Sequence, residues 1–542
     1  MIYLILVITK NSRIIKTILT HILFLTFLLF IAFAPLVKQI ANTPKGTFYT
    51  RWHGEFPDYY LYLSFIHQGR TEWKLTSTYT TEEKKTTYIH LFYLVAGKLG
   101  KLTSLPDIDI YYISIFFSLL LFYFMSFQLI KILIPPIYRW FTMGIIFFAS
   151  PPPPLTLPFI NISIGTGGWT KMDLYSRLTH VPHHFAAIAL SLASAYFLIR
   201  FYKERKIRFA MFCSLTQILT ALFFIIPSLL FFISSLIIFP YFLALKRLKS
   251  KKINIHLFLG FVFILMSSII SFVFVYKQLS MAGWSGWEYQ HFRPERWPYL
   301  FSIFVSSYGI LLLFFPFAIL LIYKKFRFEY LFIFVSTILP PILYLLSYWG
   351  IVPITKIRFM YSVPYVYAGI FSALGLIYIL ESFGKSKKPL IIGLTLVLYI
   401  TNITWGLYSY YLPKFIPLKP FQNIYIPEKY LLITNYLSIN TPKFSNLLSK
   451  YSSAAFIPAL TNTKVFAGHP FAYFEHPEKK EILESIYSGK MSTEDFLSVI
   501  KKYNLEYVLW EEKELPAQYK NILTEAFKVD NLTIYKVKTY DT

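Results

Sequence analysis

Apolar residues in this chain come in long blocks separated by short basic segments, and that pattern predicts an α-helical polytopic membrane protein. The blocks fall at about 14–36, 110–134, 138–157, 184–202, 209–226, 228–245, 254–276, 298–322, 329–349, 359–381 and 389–409, which makes about eleven spans. Each reads as a crossing of a hydrocarbon layer roughly 30 Å thick. The stretch 209–245 divides into a hairpin at Pro227, because both of its ends are strongly basic. MIYLILVITK at the start is too short for a span of its own. No small-residue cleavage site follows the first block, which therefore reads as a retained anchor.

Basic clusters orient the spans. Lys10, Arg13 and Lys16 precede the first block and place the N-terminus in the cytoplasm. KERKIR (203–208), KRLKSKK (246–252), KKFR (324–327) and KSKK (385–388) then all fall on cytoplasmic turns. The expected fold is a transmembrane domain over 1–409, N-terminus in and C-terminus out, with a large first outer loop at 37–109 and a small extracytoplasmic α/β domain at 410–542. Within the loop, YIHLFYLVAGKLGKL (88–102) mixes apolar and basic positions at helical spacing, as a helix lying in the membrane interface does. In the tail, NTKVFAG (462–468) and LEYVLW (505–510) read as strands. KEILESIYSG (480–489) and TEDFLSVIKKY (493–503) read as amphipathic helices, the second capped by Ser492 or Thr493.

Composition agrees with a membrane protein: 56% of the 542 residues are hydrophobic and 15% charged. Of 53 Lys plus Arg and 27 Asp plus Glu, 16 and 14 lie after residue 409, so nearly all of the +26 formal charge belongs to the membrane part. The positive-inside rule accounts for that excess, and no nucleic-acid partner is implied. Cys213 is the single cysteine and lies in an apolar block, which excludes an internal disulfide and a cysteine-based metal site. It reads as a packing residue.

The acids of the outer loops carry the candidate chemistry. EFPDYYLYLSFIHQGR (55–70) places Glu55 and Asp58 just beyond the first span among tyrosines. A carboxylate near a bilayer is costly unless hydrated or paired, although Asp58 also suits the N-cap of a helix. The second outer loop, WTKMDLYSRLTHVPHHF (169–185), holds Asp173 with Arg177, His180, His183 and His184. Arg293 and Arg296 in WSGWEYQHFRPERWPY (284–299), and Arg358 in VPITKIRFMYSVP (352–364), add cations that suit a phosphate. Acids in the first two outer loops and arginines in the later ones fit transfer of a sugar from a lipid phosphate. That reaction needs a base for the acceptor hydroxyl and cations for the leaving phosphate. A transporter, a polysaccharide polymerase or ligase, and an assembly protein are the competing classes. In the tail loop GHPFAYFEHPEKK (468–480), His469, Glu475 and His476 read as surface or turn residues.

These features resemble the GT-C superfamily of polyprenyl-phosphate-sugar-dependent glycosyltransferases, which includes protein O-mannosyltransferases and the aminoarabinose transferases of lipid A. The likeness rests on the acid-led first outer loop, the interfacial helix, the many spans and the outer tail. It rests also on RFMYSVPYVYAGIFSALG (358–375) and on IPALTNTKVFAGHPFAYFEHPEKKEILESIYSG (457–489), where a Gly-His pair follows a strand. The resemblance implies that Asp58 is the catalytic base of an inverting transfer, with Glu55 as the neighbouring or alternative acid. Asp173 then matches an acid that positions the acceptor or a metal, and by their charge in the outer loops Arg177, His180, His183, His184, Arg293, Arg296 and Arg358 are expected to bind the donor phosphate. It further implies a polyprenyl-phosphate-linked hexosyl or pentosyl donor in the bilayer. The acceptor (glycan, lipid or protein) and the need for a divalent cation such as Mg or Mn stay open. The expected location is the plasma (cytoplasmic) membrane with the site on its outer face. YVLWEEKE (507–514) has no WWDYG-like signature, which argues against moving a whole oligosaccharide to asparagine.

Overall fold

The computed structural model describes residues 2–51, 56–82, 85–150, 155–157, 162–164, 181–250, 255–282, 308–352, 359, 365–416, 424–469, 476–512 and 514–538. The N-terminal part begins with α1 (Ile2–Ala41), β1 (Thr47–Tyr49), α2 (Phe56–Gly69), α3 (Leu91–Thr103), α4 (Asp107–Leu133) and α5 (Arg139–Phe148). The short strands β2 (Leu155–Leu157) and β3 (Ile162–Ile164) form an antiparallel pair. Helices α6 (Pro182–Glu204), α7 (Ile207–Phe223), α8 (Ile225–Ser250) and α9 (Ile255–Ala282) follow. Then come α10 (Phe315–Lys324), α11 (Phe328–Tyr348), α12 (Val366–Ser382) and α13 (Lys388–Gly406).

Among the described residues, six helices are long and apolar enough to cross a membrane: α1, α4, α6, α9, α11 and the helix that starts at Lys388. α7, the described part of α8, α10 and α12 are apolar but shorter. The segment expected to span at 138–157 differs most. Its helix, α5, has ten residues, about 15 Å at 1.5 Å per residue, and the chain is extended from Ala149. Asn402 of α13 satisfies the backbone there, its Oδ1 accepting from Ser150 N–H at 2.8 Å and its Nδ2 donating to Ser150 O at 2.8 Å. The break between α7 and α8 falls at Phe224, three residues before Pro227. Cys213 is buried in α7, against the Ser194 carbonyl of α6.

Lysines of two basic clusters pair with acids of neighbouring helices. Lys203 at the end of α6 pairs with Glu329 at the start of α11 at 2.9 Å, and Lys325 pairs with Glu381 near the end of α12 at 3.0 Å. Tyr241 of α8 meets Phe326 ring to ring at 5.9 Å.

The long loop after α1 is held by charge and by close backbone packing. At the far end of α2, His67 and Arg70 grip Asp107 at the start of α4, at 2.8 and 2.6 Å, and Arg51 pairs with Asp109. α2 and α3 cross at glycines: a Cβ on Gly97 would sit 2.3 Å from the Ile66 carbonyl oxygen, and one on Gly69 would sit 2.7 Å from that of Leu94. α3 covers the expected interfacial helix. It buries Tyr93, Leu94 and Ala96 and exposes Val95, Leu99 and Leu102, the last by 82%.

The tail adds β4 (Tyr425–Pro427), α14 (Glu428–Asn440), β5 (Asn446–Leu448), α15 (Tyr451–Ala454), α16 (Ile457–Leu460) and β6 (Lys464–Val465). It ends with α17 (His476–Tyr487), α18 (Thr493–Lys502), β7 (Tyr507–Trp510), β8 (Leu523–Val529) and β9 (Leu532–Val537). Both expected strands and both expected helices are present, and Ser492 Oγ caps α18 by accepting from Asp495 N–H at 3.0 Å. β5 to β9 form one sheet in the order β6-β5-β7-β9-β8, with β6, β5 and β7 parallel and β9 antiparallel to both neighbours. Phe466, Ile486, Phe496, Trp510 and Tyr519 fill the core between this sheet and its helices.

The tail is joined to the long loop after α1 by backbone pairing. β1 pairs with β4, Thr47 opposite Pro427 and Tyr49 opposite Tyr425. Beyond β6, Val465 N–H donates to Thr78 O at 2.9 Å, and Thr80 bridges Ala467. Lys479 of α17, its side chain 0% exposed, pairs with Glu82 at 2.5 Å and donates to Phe466 O at 3.0 Å.

Candidate functional site

Asp58 lies in the first turn of α2. The helix begins at Phe56, so Asp58 is inside it rather than at its cap. A carboxylate in that turn is favoured by the exposed N–H groups and the helix dipole. Tyr59, Tyr60, Leu61, Tyr62 and Leu63 are all buried, so the helix is enclosed on every side. Two phenols fix its start: Tyr59 donates to Thr50 O at 2.5 Å and Tyr60 to Thr50 Oγ1 at 3.0 Å. Within this packed surrounding the Asp58 side chain stays 40% exposed.

Aromatic and imidazole rings from four elements pack beside it. Tyr62 of α2 stacks on Tyr93 of α3 at 4.7 Å, and Tyr93 lies parallel to Tyr111 of α4 at 6.4 Å. Tyr93 Oη and His183 Nδ1, at the start of α6, share a hydrogen bond of 2.7 Å. His90 meets His183 edge-on at 5.2 Å, and His184 stacks on Phe224 at 4.3 Å. Burial raises the Tyr93 phenol well above its ordinary value, with Tyr111, Tyr62 and the Asp58 carboxylate pushing the same way. Tyr93 is therefore a neutral donor and acceptor at any physiological pH.

The tail reaches the same carboxylate. His469 Nε2 is 3.4 Å from Asp58 Oδ1, and the imidazole is only 2% exposed. Its ring packs edge-on to Tyr79 at 5.7 Å, and Tyr79 donates to Ala455 O at 3.1 Å. The sequence reading of His469 as a surface or turn residue is thus corrected. The only local sign was a Gly-His pair after a strand, and burial came from a partner near the other end of the chain.

Of the other residues singled out by sequence, His183 and His184 lie in this cluster, His183 buried and bonded to Tyr93. Glu55, Asp173, Arg177, His180, Arg293, Arg296, Arg358 and Glu475 lie outside the described residues. His476 opens α17, and its side chain is likewise not described. Among the described residues, no three His, Cys, Asp or Glu side chains gather as a metal cradle. Asp58 and His469 supply one carboxylate and one imidazole, whereas Mg or Mn takes about six ligands, mostly oxygens. The described donor set does not fit such an ion.

Solved structures share this architecture. The oligosaccharyltransferase AglB of Archaeoglobus fulgidus, in complex with an inhibitory peptide and a dolichol-phosphate, aligns over 89% of this chain and 69% of its own, with TM-score 0.52 and 11% identity. The arabinofuranosyltransferase AftD from Mycobacteria aligns over 95% of this chain and 42% of its own, with TM-score 0.51 and 11% identity. Both are GT-C membrane glycosyltransferases. This chain has the GT-C fold. No protein-family model matches the sequence, and no curated protein does. Within this fold, the acid-led first loop and the tail come together at Asp58.

Proposed function

We propose that the chain is an integral-membrane glycosyltransferase that moves a sugar from a polyprenyl-phosphate-linked donor to an acceptor hydroxyl, with Asp58 as the base. The observation that carries this reading is a 40%-exposed carboxylate in the first turn of α2, in an otherwise closed aromatic setting and a GT-C fold. An acceptor hydroxyl beside Asp58 loses its proton as its oxygen attacks the anomeric carbon. The bond to phosphate breaks on the opposite side, and the configuration inverts. The leaving phosphate needs fixed positive charge. Arg177, His180, Arg293, Arg296 and Arg358, with the His183–His184 pair, are the proposed source of it. Glu55 is the proposed neighbour of the base, and Asp173 the proposed holder of the acceptor. The dolichol-phosphate in the AglB complex supports a polyprenyl-phosphate donor here.

His183 and His184 open α6, whereas Lys203, paired with Glu329, stands at its other end, which supports a plasma-membrane protein acting on the extracytoplasmic face. In this reading, residues 1–409 bind the lipid-linked donor and 410–542 form an outer domain over the site. The test is transfer by the nanodisc-embedded protein from a panel of radiolabelled polyprenyl-phosphate hexoses and pentoses, with a mixed acceptor fraction and with or without chelator. Asp58→Asn, folded normally, is expected to lower kcat by about 10²–10⁴-fold. Full activity of that variant removes the base assignment, and a retained anomeric configuration removes the single displacement.

A further inference from the structure

We propose that His469, carried by the tail, is a positioning residue that holds the Asp58 carboxylate for proton transfer. The inference rests on Asp58 being the base. Asp58 is in the first turn of a helix and 40% exposed, and a carboxylate serves as a base only in rotamers that aim an oxygen at the acceptor. An imidazole N–H directed at one carboxylate oxygen favours the rotamers that serve proton transfer. His469 Nε2 stands 3.4 Å from Asp58 Oδ1, a separation that shortens readily when a substrate fills a site.

The imidazole is built into place. Ala467 is bridged to Thr80 of the first outer loop, which fixes the chain two residues before it. Gly468 then passes so close to α15 that a Cβ there would lie 2.5 Å from Ala454 O. That approach admits only glycine and turns the next residue toward α2. Tyr79 closes the ring from the side, itself held by the Ala455 carbonyl. The chain thus brings an outer loop, a glycine and a buried tyrosine to bear on one histidine, and that histidine faces Asp58.

The experiment compares wild type, His469→Leu, His469→Gln, Asp58→Asn and Asp58→Asn/His469→Leu in the transfer assay, with a thermal melt of each. The Leu variant is expected to lose about 10- to 100-fold in kcat with the donor KM unchanged, the scale of a misplaced reacting group. The Gln variant, whose amide can donate from nearly the same place, is expected to recover most of that loss. The double variant should be no worse than Asp58→Asn alone, because His469 acts through Asp58. Full kcat in His469→Leu overturns the proposal. So does a Gln variant as poor as Leu with both melting early, which marks a structural role, and so do losses that multiply in the double variant. A wild type silent with every donor counts against glycosyl transfer itself, and an active wild type unaffected by the Leu change counts against His469 alone.

Discussion

Glu511, at the end of β7, is a buried acid with a full set of donors. It accepts from the Tyr430 phenol at 2.9 Å, from Lys450 N–H at 3.2 Å and from the Ser453 hydroxyl. Burial nonetheless wins over these bonds and raises its pKa above the ordinary 4.5. The folded chain therefore keeps this proton to higher pH than the unfolded chain does. The stability from this group is complete below about 4.5 and is lost as pH rises through the raised value. Glu511→Gln should make the melting temperature less dependent on pH in that window, and an unchanged slope would show that other groups set it. Nothing in YVLWEEKE separates Glu511 from Glu512, since burial is decided by α14 and α15 rather than by neighbours in sequence. Asp58 stands out as a candidate in the sequence because an acid beside a span is costly in itself. His469 does not, because its environment is made by Tyr79 and α2.

Elements were legible where periodicity and caps agree. α3, α17 and α18 follow the amphipathic pattern, and Ser492 caps α18 as its sequence suggests. The expected span at 138–157 fails for a physical reason. Pro151 disfavours helical geometry at Ser150, where α5 has already ended, and the apolar run reappears as strand β2. Hydrophobicity alone does not distinguish a buried strand from a helix. The α2–α3 crossing is the element contact most sensitive to one atom. Gly97→Ala would press a methyl to 2.3 Å from a backbone oxygen that no rotamer change can move. It should cost about 1–3 kcal/mol or more and lower the melting temperature. An unshifted melt would mean that the two helices can separate without loss.

At the scale of the whole molecule, the composition boundary near residue 410 is not a boundary of packing. β1 is paired with β4, and segment 78–80 with 465–467. The buried Lys479 is neutralised from the other side of that boundary by Glu82. Glu82→Gln keeps the shape and removes the charge, leaving the ammonium with Thr80 and the Phe466 carbonyl. It should destabilise the protein by about 1–3 kcal/mol, read as a lower melting temperature. A neutral result would mean that water already screens the pair. These long-range pairings had no sequence signal, because strands of two or three residues carry too little pattern to name a partner.

The β1–β4 pairing also sets an order on biogenesis. A ribosome that has just made Tyr49 must add several hundred residues before Tyr425 emerges, on the order of tens of seconds at roughly 5–20 residues per second. For that interval the acid-bearing loop has no mate for its first strand and no tail beside Asp58. A nascent or prematurely terminated chain therefore carries the Asp58 loop unpaired and without His469 until its last segment arrives.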